Sequence, residues 1–259
     1  MSVDVQKASI WKRISAFLFD GIMLSIVIMG FATLFQFVFK YDETLSSYQA
    51  IVSDVEEAHG IKLQVTKEEY DGYDDAKKAK YDAAYQALND NSEAVRLYAR
   101  VFILQILSFS LSMFIAFLLL EFFLPLVFKD GRTLGKKIFG LCLIRPNCVK
   151  ISGPVLFIRS IIGKCVIETQ IPVMIVLMFF NGKANLFLIV LLFAIPIVNL
   201  ILFFATKNHT VLHDMLAVTV VADFSSQRIF ETEDDLIEFK KKQHEIEVER
   251  AREPEYSHI

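Results

Sequence analysis

Four charged side chains lie inside or beside long apolar stretches, where an ionised group is costly unless it is used or neutralised: Arg13, Asp20, Glu121 and Asp214. A charge within a membrane span costs ~2.5–3.5 kcal/mol on insertion scales, and such residues usually mark a functional path or a specific partner. Asp20 lies six residues into an apolar run. Arg13 precedes it by seven residues, two helical turns along the same face. This spacing suits an acid that holds a proton or a small cation, with Arg13 as its counter-charge.

Two interpretations of these acids stay open. A proton- or cation-linked site needs a poised acid at Asp20, whereas a structural salt bridge needs only a permanent partner. Glu121 lies at roughly the same depth in the second apolar run, and two carboxylates at one level suit a hard cation, which takes oxygen ligands. Alternatively, Glu121 pairs with Arg159 or Lys164.

The sequence has no motif typical of an enzyme. His209 and His213 are four residues apart, but no glutamate stands where a zinc protease needs its base and no third ligand lies nearby. No Ser–His–Asp or Cys–His arrangement is evident. We therefore expect no enzyme, no catalytic residue, no metal and no cofactor.

The glycine-rich segment from Asp130 to Leu141 is not a phosphate-binding loop. A P-loop has four residues between its first glycine and the Gly-Lys pair, followed by Ser or Thr, whereas three residues and a second lysine stand here. Its glycines instead indicate a tight turn and close backbone approach. The motif residues singled out are Gly131, Thr133, Gly135, Lys136 and Gly140.

Long apolar runs indicate a polytopic helical membrane protein of the all-α class. Hydrophobic residues make up 54% of the chain. The run Ile14–Phe39 would extend for ~39 Å as a helix, more than the ~30 Å hydrocarbon core of a bilayer. The other runs are 101–128, 165–180 and 184–205, which predicts four transmembrane helices. The third run is the weakest, so three spans remain the alternative.

Loop charge predicts the orientation. Residues 129–164 carry eight basic residues and one acid, whereas residues 40–100 carry 13 acids and eight bases. The positive-inside rule places the basic segment and both termini in the cytoplasm. Within the basic segment, residues 155–168 predict an amphipathic helix whose Arg159 and Lys164 meet lipid headgroups. Cys142, Cys148 and Cys165 are then expected to be reduced thiols.

The acidic loop and the C-terminal tail both favour helices. The sequence Thr66–Glu69 fits a capping box, which predicts a helix over 68–88. Asp90–Glu93 repeats that start signal and predicts a second helix that runs directly into the second span, so we expect a helical hairpin. In the tail, Glu238–Lys242 and Lys241–Glu245 are spaced for pairs on a solvated helix. Either element is a simple extension or a surface that binds a partner.

The segments predicted are 1–39, the N-terminus and first span; 40–100, the acidic helical loop; 101–128, the second span; 129–164, the basic loop and amphipathic helix; 165–205, the third and fourth spans; 206–223, a polar motif segment; and 224–259, the charged tail.

Three of these motifs together resemble the RDD family of small, mostly bacterial membrane proteins. They are 12–20 (KRISAFLFD), 131–141 (GRTLGKKIFGL) and 212–217 (LHDMLA). The Arg and two Asp that give the family its name look like Arg13, Asp20 and Asp214. The resemblance covers residues 7 to about 222, while the long acidic loop and the charged tail depart from it.

The resemblance implies a multi-pass protein of the bacterial cytoplasmic membrane, with transport suspected in the family and sodium–proton exchange proposed for some members. It also implies that Arg13, Asp20 and Asp214 converge on one polar site. We therefore expect transport of a small cation or solute. The alternative is a non-catalytic regulator that binds another protein through the outer loop or the tail. The expected partners are the lipid bilayer, a small cation, and a second copy or another membrane protein, with no nucleic acid.

Overall fold

The computed structural model describes residues 4–170 and 186–252. The chain forms two compact units: a first unit of Met1–Val27 with Phe114–Ile259, and a second unit of Ile28–Met113. The described part is mostly helical. Its helices are α1 (Ile10–Val38), α2 (Tyr41–His59), α3 (Lys67–Asp71), α4 (Asp75–Asp90), α5 (Ser92–Phe117), α6 (Leu124–Val127), α7 (Leu134–Ile138), α8 (Gly153–Phe157), α9 (Leu186–Ala205), α10 (Leu212–Leu216) and α11 (Glu233–Arg252).

Two long apolar helices match the first two predicted spans. Among the described residues, Ile10–Val38 and Ser92–Val127 are each long and apolar enough to cross a membrane. Their side chains are largely exposed, as the lipid-facing side chains of spanning helices are. Helices of this length and composition indicate membrane spans.

The predicted third span, 165–180, lies mostly outside the described residues. The apolar helix α9 occupies most of the predicted fourth span. Its Pro196 lies within the helix, where it removes one backbone donor.

Two helical segments of the first unit are wound as π-helices: π1 (Leu118–Phe123), between α5 and α6, and π2 (Ile158–Glu168), directly after α8. Helical structure over 155–168 was predicted, but its winding was not. A π-helix pairs each residue with the fifth one along and often occurs at functional sites. The two segments pack against each other.

A small antiparallel sheet in the first unit was not predicted. Strand β1 (Leu141–Ile144) pairs with β2 (Val220–Asp223), in a register that sets Leu141 opposite Asp223. Both strands are short, buried apolar runs, which sequence periodicity cannot distinguish from helix or loop. The N-terminal segment joins them through a bridge between Lys7 and Ala222.

The second unit contains more helix than the sequence predicted. The capping box is present, with Thr66 and Glu69 bonded reciprocally, but it starts only the short α3. The prediction of one helix over 68–88 was wrong, since Gly72 ends α3 and Asp74 caps a new helix, α4. Helix α2 was missed. As predicted, α5 runs from the loop into the second apolar run, with its start capped by Asn91.

The tail forms the predicted solvated helix, α11. Lys242 and Glu238 pair at 2.7 Å on its surface. At its first turn, Leu236 is buried and Phe239 packs against a core formed by the sheet and Phe230. The helix is therefore anchored at one end to the first unit.

Candidate functional site

Asp20 is held by the glycine-rich motif. Its Oδ2 accepts a hydrogen bond from the Thr133 hydroxyl at 2.5 Å, and its Oδ1 accepts one from the Gly135 backbone N–H at 2.7 Å. Thr133 caps the N-terminus of α7, so the same residue starts that helix and binds the carboxylate. The glycine-rich motif therefore binds the Asp20 carboxylate, which was not predicted from the sequence.

Gly135 is required by the closeness of α1. A Cβ built there would lie 2.9 Å from the Asp20 carboxyl carbon and would collide with the Ala16 carbonyl oxygen. The absence of a side chain lets the two backbones meet. The predicted close approach is therefore real, and α1 is its partner.

Lys136 supplies the positive charge beside Asp20. Its Nζ lies 3.9 Å from the Asp20 Oδ2 and donates to the Thr133 hydroxyl at 3.1 Å. The prediction that Arg13 is the counter-charge was wrong. In the part of the chain that the structure describes, Asp20 has its ion pair with Lys136.

Arg13 instead binds the turn between α9 and α10. Its guanidinium donates to the carbonyl oxygens of Asn208 and His209, at 2.8 and 2.7 Å, and lies over the Phe203 ring. These carbonyls follow the end of α9, where unpaired oxygens collect. A cation there satisfies them and ties the start of α1 to the chain ahead of α10.

Glu121 pairs with Lys164, one of the two partners considered from the sequence. The Oε2–Nζ distance is 2.6 Å, and Ser160 donates to the Glu121 carbonyl oxygen at 2.7 Å. In a regular α-helix, Glu121 would point ~140° away from the buried Ala116, five residues earlier. The π-winding of π1 brings residues five apart toward one face, so Glu121 is buried.

Asp20 and Glu121 line one small pocket, which Met23, Leu24, Leu120 and Leu134 complete. The two carboxylates belong to the two long apolar helices. Lys136 contacts the first and lies within electrostatic reach of the second. The arrangement is a pair of acids around a shared space, balanced by a tethered ammonium group.

Among the described residues, Arg159 and Asp214 form the most deeply buried ion pair. The Arg159 Nε donates to the Asp214 Oδ1 at 2.9 Å, and each side chain is only 2% exposed. Thr219 adds a hydroxyl bond to the same oxygen at 3.2 Å. Burial alone would raise the pKa of Asp214, but the positive charge of Arg159, and behind it that of Arg13, holds it well below its usual value.

His213 bridges Arg159 and Glu168. Its Nε2 lies 2.9 Å from the Arg159 guanidinium and its Nδ1 lies 2.7 Å from the Glu168 carboxylate. Since a guanidinium only donates and a carboxylate only accepts, the ring carries its proton on Nδ1 and is neutral. Burial lowers the pKa of His213, and the nearby Arg159 adds to this against the opposing pull of Asp214.

Gly163 makes this contact possible. A Cβ on Gly163 would lie 2.7 Å from the His213 Cβ, so only glycine lets α10 approach π2 so closely. His209 and His213, which were considered as metal ligands, bind different partners. The His209 ring contacts the Phe203 carbonyl oxygen, whereas the His213 ring contacts Arg159 and Glu168. Among the residues described, no group of three His, Cys, Asp or Glu side chains is arranged to hold a metal.

The two residues predicted to meet lipid headgroups, Arg159 and Lys164, pair with buried acids in this structure. Arg159 is buried against Asp214, and Lys164 is turned inward to Glu121. Residues 155–168 were predicted as an amphipathic helix at the membrane surface, whereas their charged side chains Arg159 and Lys164 turn inward to acids. The pairings of Glu168 with His213 and of Lys136 with Asp20 were not predicted.

All of these charged residues lie within a stretch that matches one known protein family. The RDD family model matches residues 7–218. The chain belongs to the RDD family. No curated protein and no solved structure matches it. In this RDD chain, Asp20 and Asp214 lie in the same unit, and Lys136 is within electrostatic reach of Glu121, Lys164 and Arg159, the partner of Asp214.

Proposed function

We propose that this RDD-family protein moves a small cation across the bacterial cytoplasmic membrane, with Asp20 and Glu121 as the acids of its binding pocket. One observation carries the proposal: two carboxylates from the two long apolar helices line the same pocket. Acids at such positions are costly and usually mark an ion path.

The chemistry of the pocket suits a cation. Carboxylate oxygens are the ligands that hard cations take, and the Lys136 ammonium already stands beside Asp20 as an internal substitute for one. A small cation entering the pocket would compete with that ammonium for the acids. This competition would explain why the pocket has two acids, Asp20 and Glu121, beside Lys136, where a simple salt bridge needs only one.

The topology that fits this function has four spans and cytoplasmic termini. It places α1, the α5–α6 helix and α9 in the bilayer with one further span over 165–180. The basic residues of 129–164 then lie inside and the acidic loop outside, as the positive-inside rule expects. Labelling single introduced cysteines at 54 and 240 from each side of oriented membranes tests it, with opposite accessibility as the expected result.

The decisive experiment is flux in liposomes. Purified protein is reconstituted with an internal pH dye, and sodium, potassium and proton gradients are imposed in turn. Asp20→Asn keeps an acceptor for the Gly135 N–H but removes the charge, so we expect a folded protein without flux. Asp54→Asn, at an exposed acid of α2, is the matched control and should transport normally.

Two results would reject the proposal: no flux under any gradient, or undiminished flux in a folded Asp20→Asn protein. The competing function is regulation of another protein through the second unit, whose Tyr85 and Tyr98 are exposed. Replacing residues 41–91 with a flexible linker separates the two functions. Transport should survive this change, whereas a regulator would lose its activity.

A further inference from the structure

We propose that a corner of the first unit, formed by Val127, Phe128 and Lys129 at the end of α6 and by Lys137 and Ile138 at the end of α7, binds the headgroups of anionic phospholipids. The name α6–α7 corner is used for these five residues. The proposal is independent of the transport function.

The corner presents apolar side chains at the ends of two helices. Val127 is 73% exposed and Ile138 is 61% exposed. Val127 ends the second long apolar helix, so the corner continues the surface of a membrane-type helix. Large aliphatic side chains at such a position fit the boundary between acyl chains and headgroups.

A cation–π contact joins the two halves of the corner. The Lys137 Nζ lies 3.9 Å from the centroid of the Phe128 ring. Lys137 and Lys129 are both exposed. Long lysine side chains lay their stems along apolar surface and hold their charge at the polar boundary. The corner therefore combines an apolar base with two protruding ammonium groups.

The neighbouring charges are already neutralised by one another. Asp130 pairs with Arg132 at 2.6 Å, and Lys136 is turned to Asp20. Among the described residues, Lys129 and Lys137 have no carboxylate within salt-bridge distance. Two positive charges without an acidic partner are complementary to phosphate groups of anionic lipid.

The opposite side of α7 is fixed. Gly135 binds Asp20 through its backbone N–H and lies against Ala16 of α1. The helix is thus held on one side by α1, while Lys137 and Ile138 remain exposed. A fixed helix with an exposed amphipathic edge is a preorganised surface for the membrane interface. These lysines take the role that the sequence had suggested for Arg159 and Lys164.

The test uses tryptophan fluorescence, since the chain has a single tryptophan, Trp11. A Trp11→Phe protein carrying Ile138→Trp is reconstituted in phosphatidylcholine bilayers that contain either brominated phosphatidylcholine or brominated phosphatidylglycerol. Bromine quenches only a nearby indole. Stronger quenching by the anionic lipid is expected, by up to ~5-fold in relative affinity for each lysine. Val127→Trp serves as a second probe of the same corner.

The matched comparison is Lys129→Gln with Lys137→Gln against Lys240→Gln with Lys241→Gln. Both pairs remove two positive charges, and the second lies on the exposed helix α11. Only the first pair should abolish the preference for phosphatidylglycerol. Equal quenching by the two lipids, or a preference that survives the first pair, overturns the proposal. Absence of quenching at both probes also overturns it and means that water, a second copy or another protein covers the corner.

Discussion

At the scale of single residues, the buried charges of this protein depend on their partners. Arg159 and Asp214 are almost fully removed from solvent and bonded to each other. Such a pair adds little net stability compared with apolar residues of similar size. Removal of one member, however, leaves the other as a buried charge with neither a partner nor water, which is strongly destabilising. The contribution of each ion pair is therefore best measured as the loss of unfolding free energy when one of its members is replaced.

Asp214→Asn should lower the free energy of unfolding by about 3–5 kcal/mol, because it leaves the Arg159 guanidinium buried without a negative partner. Thermal or denaturant unfolding of the detergent-solubilised protein measures the loss. Asp223→Asn makes the same chemical change at a pair whose Lys12 is exposed, and should cost about 1 kcal/mol or less. Similar losses in the two variants would show that the buried pair has no special role.

Gly135→Ala should destabilise the protein, because the new methyl group would displace the Asp20 carboxylate or the α1 backbone. Gly21→Ala is the control, and it should stabilise the protein. A Cβ at Gly21 meets nothing within 4 Å, and alanine in a helix interior is favoured over glycine by about 1 kcal/mol. Melting temperatures of the two variants check the prediction. An unchanged Gly135→Ala protein would mean that α1 does not pack against α7 in this way.

At the scale of elements, two π-helical segments carry the site. In π2, Arg159 and Lys164 are five residues apart, the spacing that π-winding aligns, and both point inward. In π1, the same winding turns Glu121 toward Lys164. The Glu121–Lys164 bond is therefore the contact by which the two segments fix each other.

A double-mutant cycle should detect this coupling. Glu121→Gln and Lys164→Gln should each destabilise, and the double variant should lose less than the sum, by about 1–3 kcal/mol. Lys150 and Glu231 form an exposed pair at 2.8 Å, and their cycle should be additive within about 0.5 kcal/mol. Additivity at both pairs would contradict a direct contact between π1 and π2.

At the scale of the whole molecule, the charged cluster is balanced within the first unit. Its cations are Arg13, Lys136, Arg159 and Lys164, and its anions are Asp20, Glu121, Glu168 and Asp214. With His213 neutral, these eight groups sum to zero when all are ionised. Equal numbers of positive and negative groups limit the free-energy cost of burying them. A member of the cluster that gains or loses a proton near neutral pH changes this balance and makes the stability depend on pH.

Lys136 is that group. Burial lowers its pKa to about 7, and Lys164 and Arg159 contribute in the same direction. Between about pH 7 and 10.5 the unfolded chain binds more protons at this position than the folded chain, so stability should rise with pH. Below about pH 7 both states carry the proton, and the contribution is constant.

Unfolding free energies at intervals from pH 7 to 8.5 test this prediction. The gain of the wild-type protein should exceed that of Lys136→Gln, since the variant has no titrating group there. Lys240→Gln, which removes an exposed lysine from α11, should follow the wild type. Parallel curves for the wild type and Lys136→Gln would show that the ammonium of Lys136 is not disfavoured by burial.

The sequence by itself determined the long apolar helices, the residues of the polar motifs and the family. These are local properties, since apolar runs, a cap such as Thr66 and a motif such as 131–141 are written in consecutive residues. Glu121 with Lys164 was also within reach, as one of two partners of opposite charge. The helix break at Gly72 and the missed α2 show where local signals were too weak.

Only the tertiary structure decided which charges meet. Asp20 binds Thr133, Gly135 and Lys136, more than a hundred positions away, and Arg13 binds backbone carbonyls near position 208. The π-winding set the face on which Glu121 lies, and strand pairing across 80 residues formed the sheet. Such contacts depend on the register between distant segments, because a single extra residue in a helix turns everything after it by about 100°.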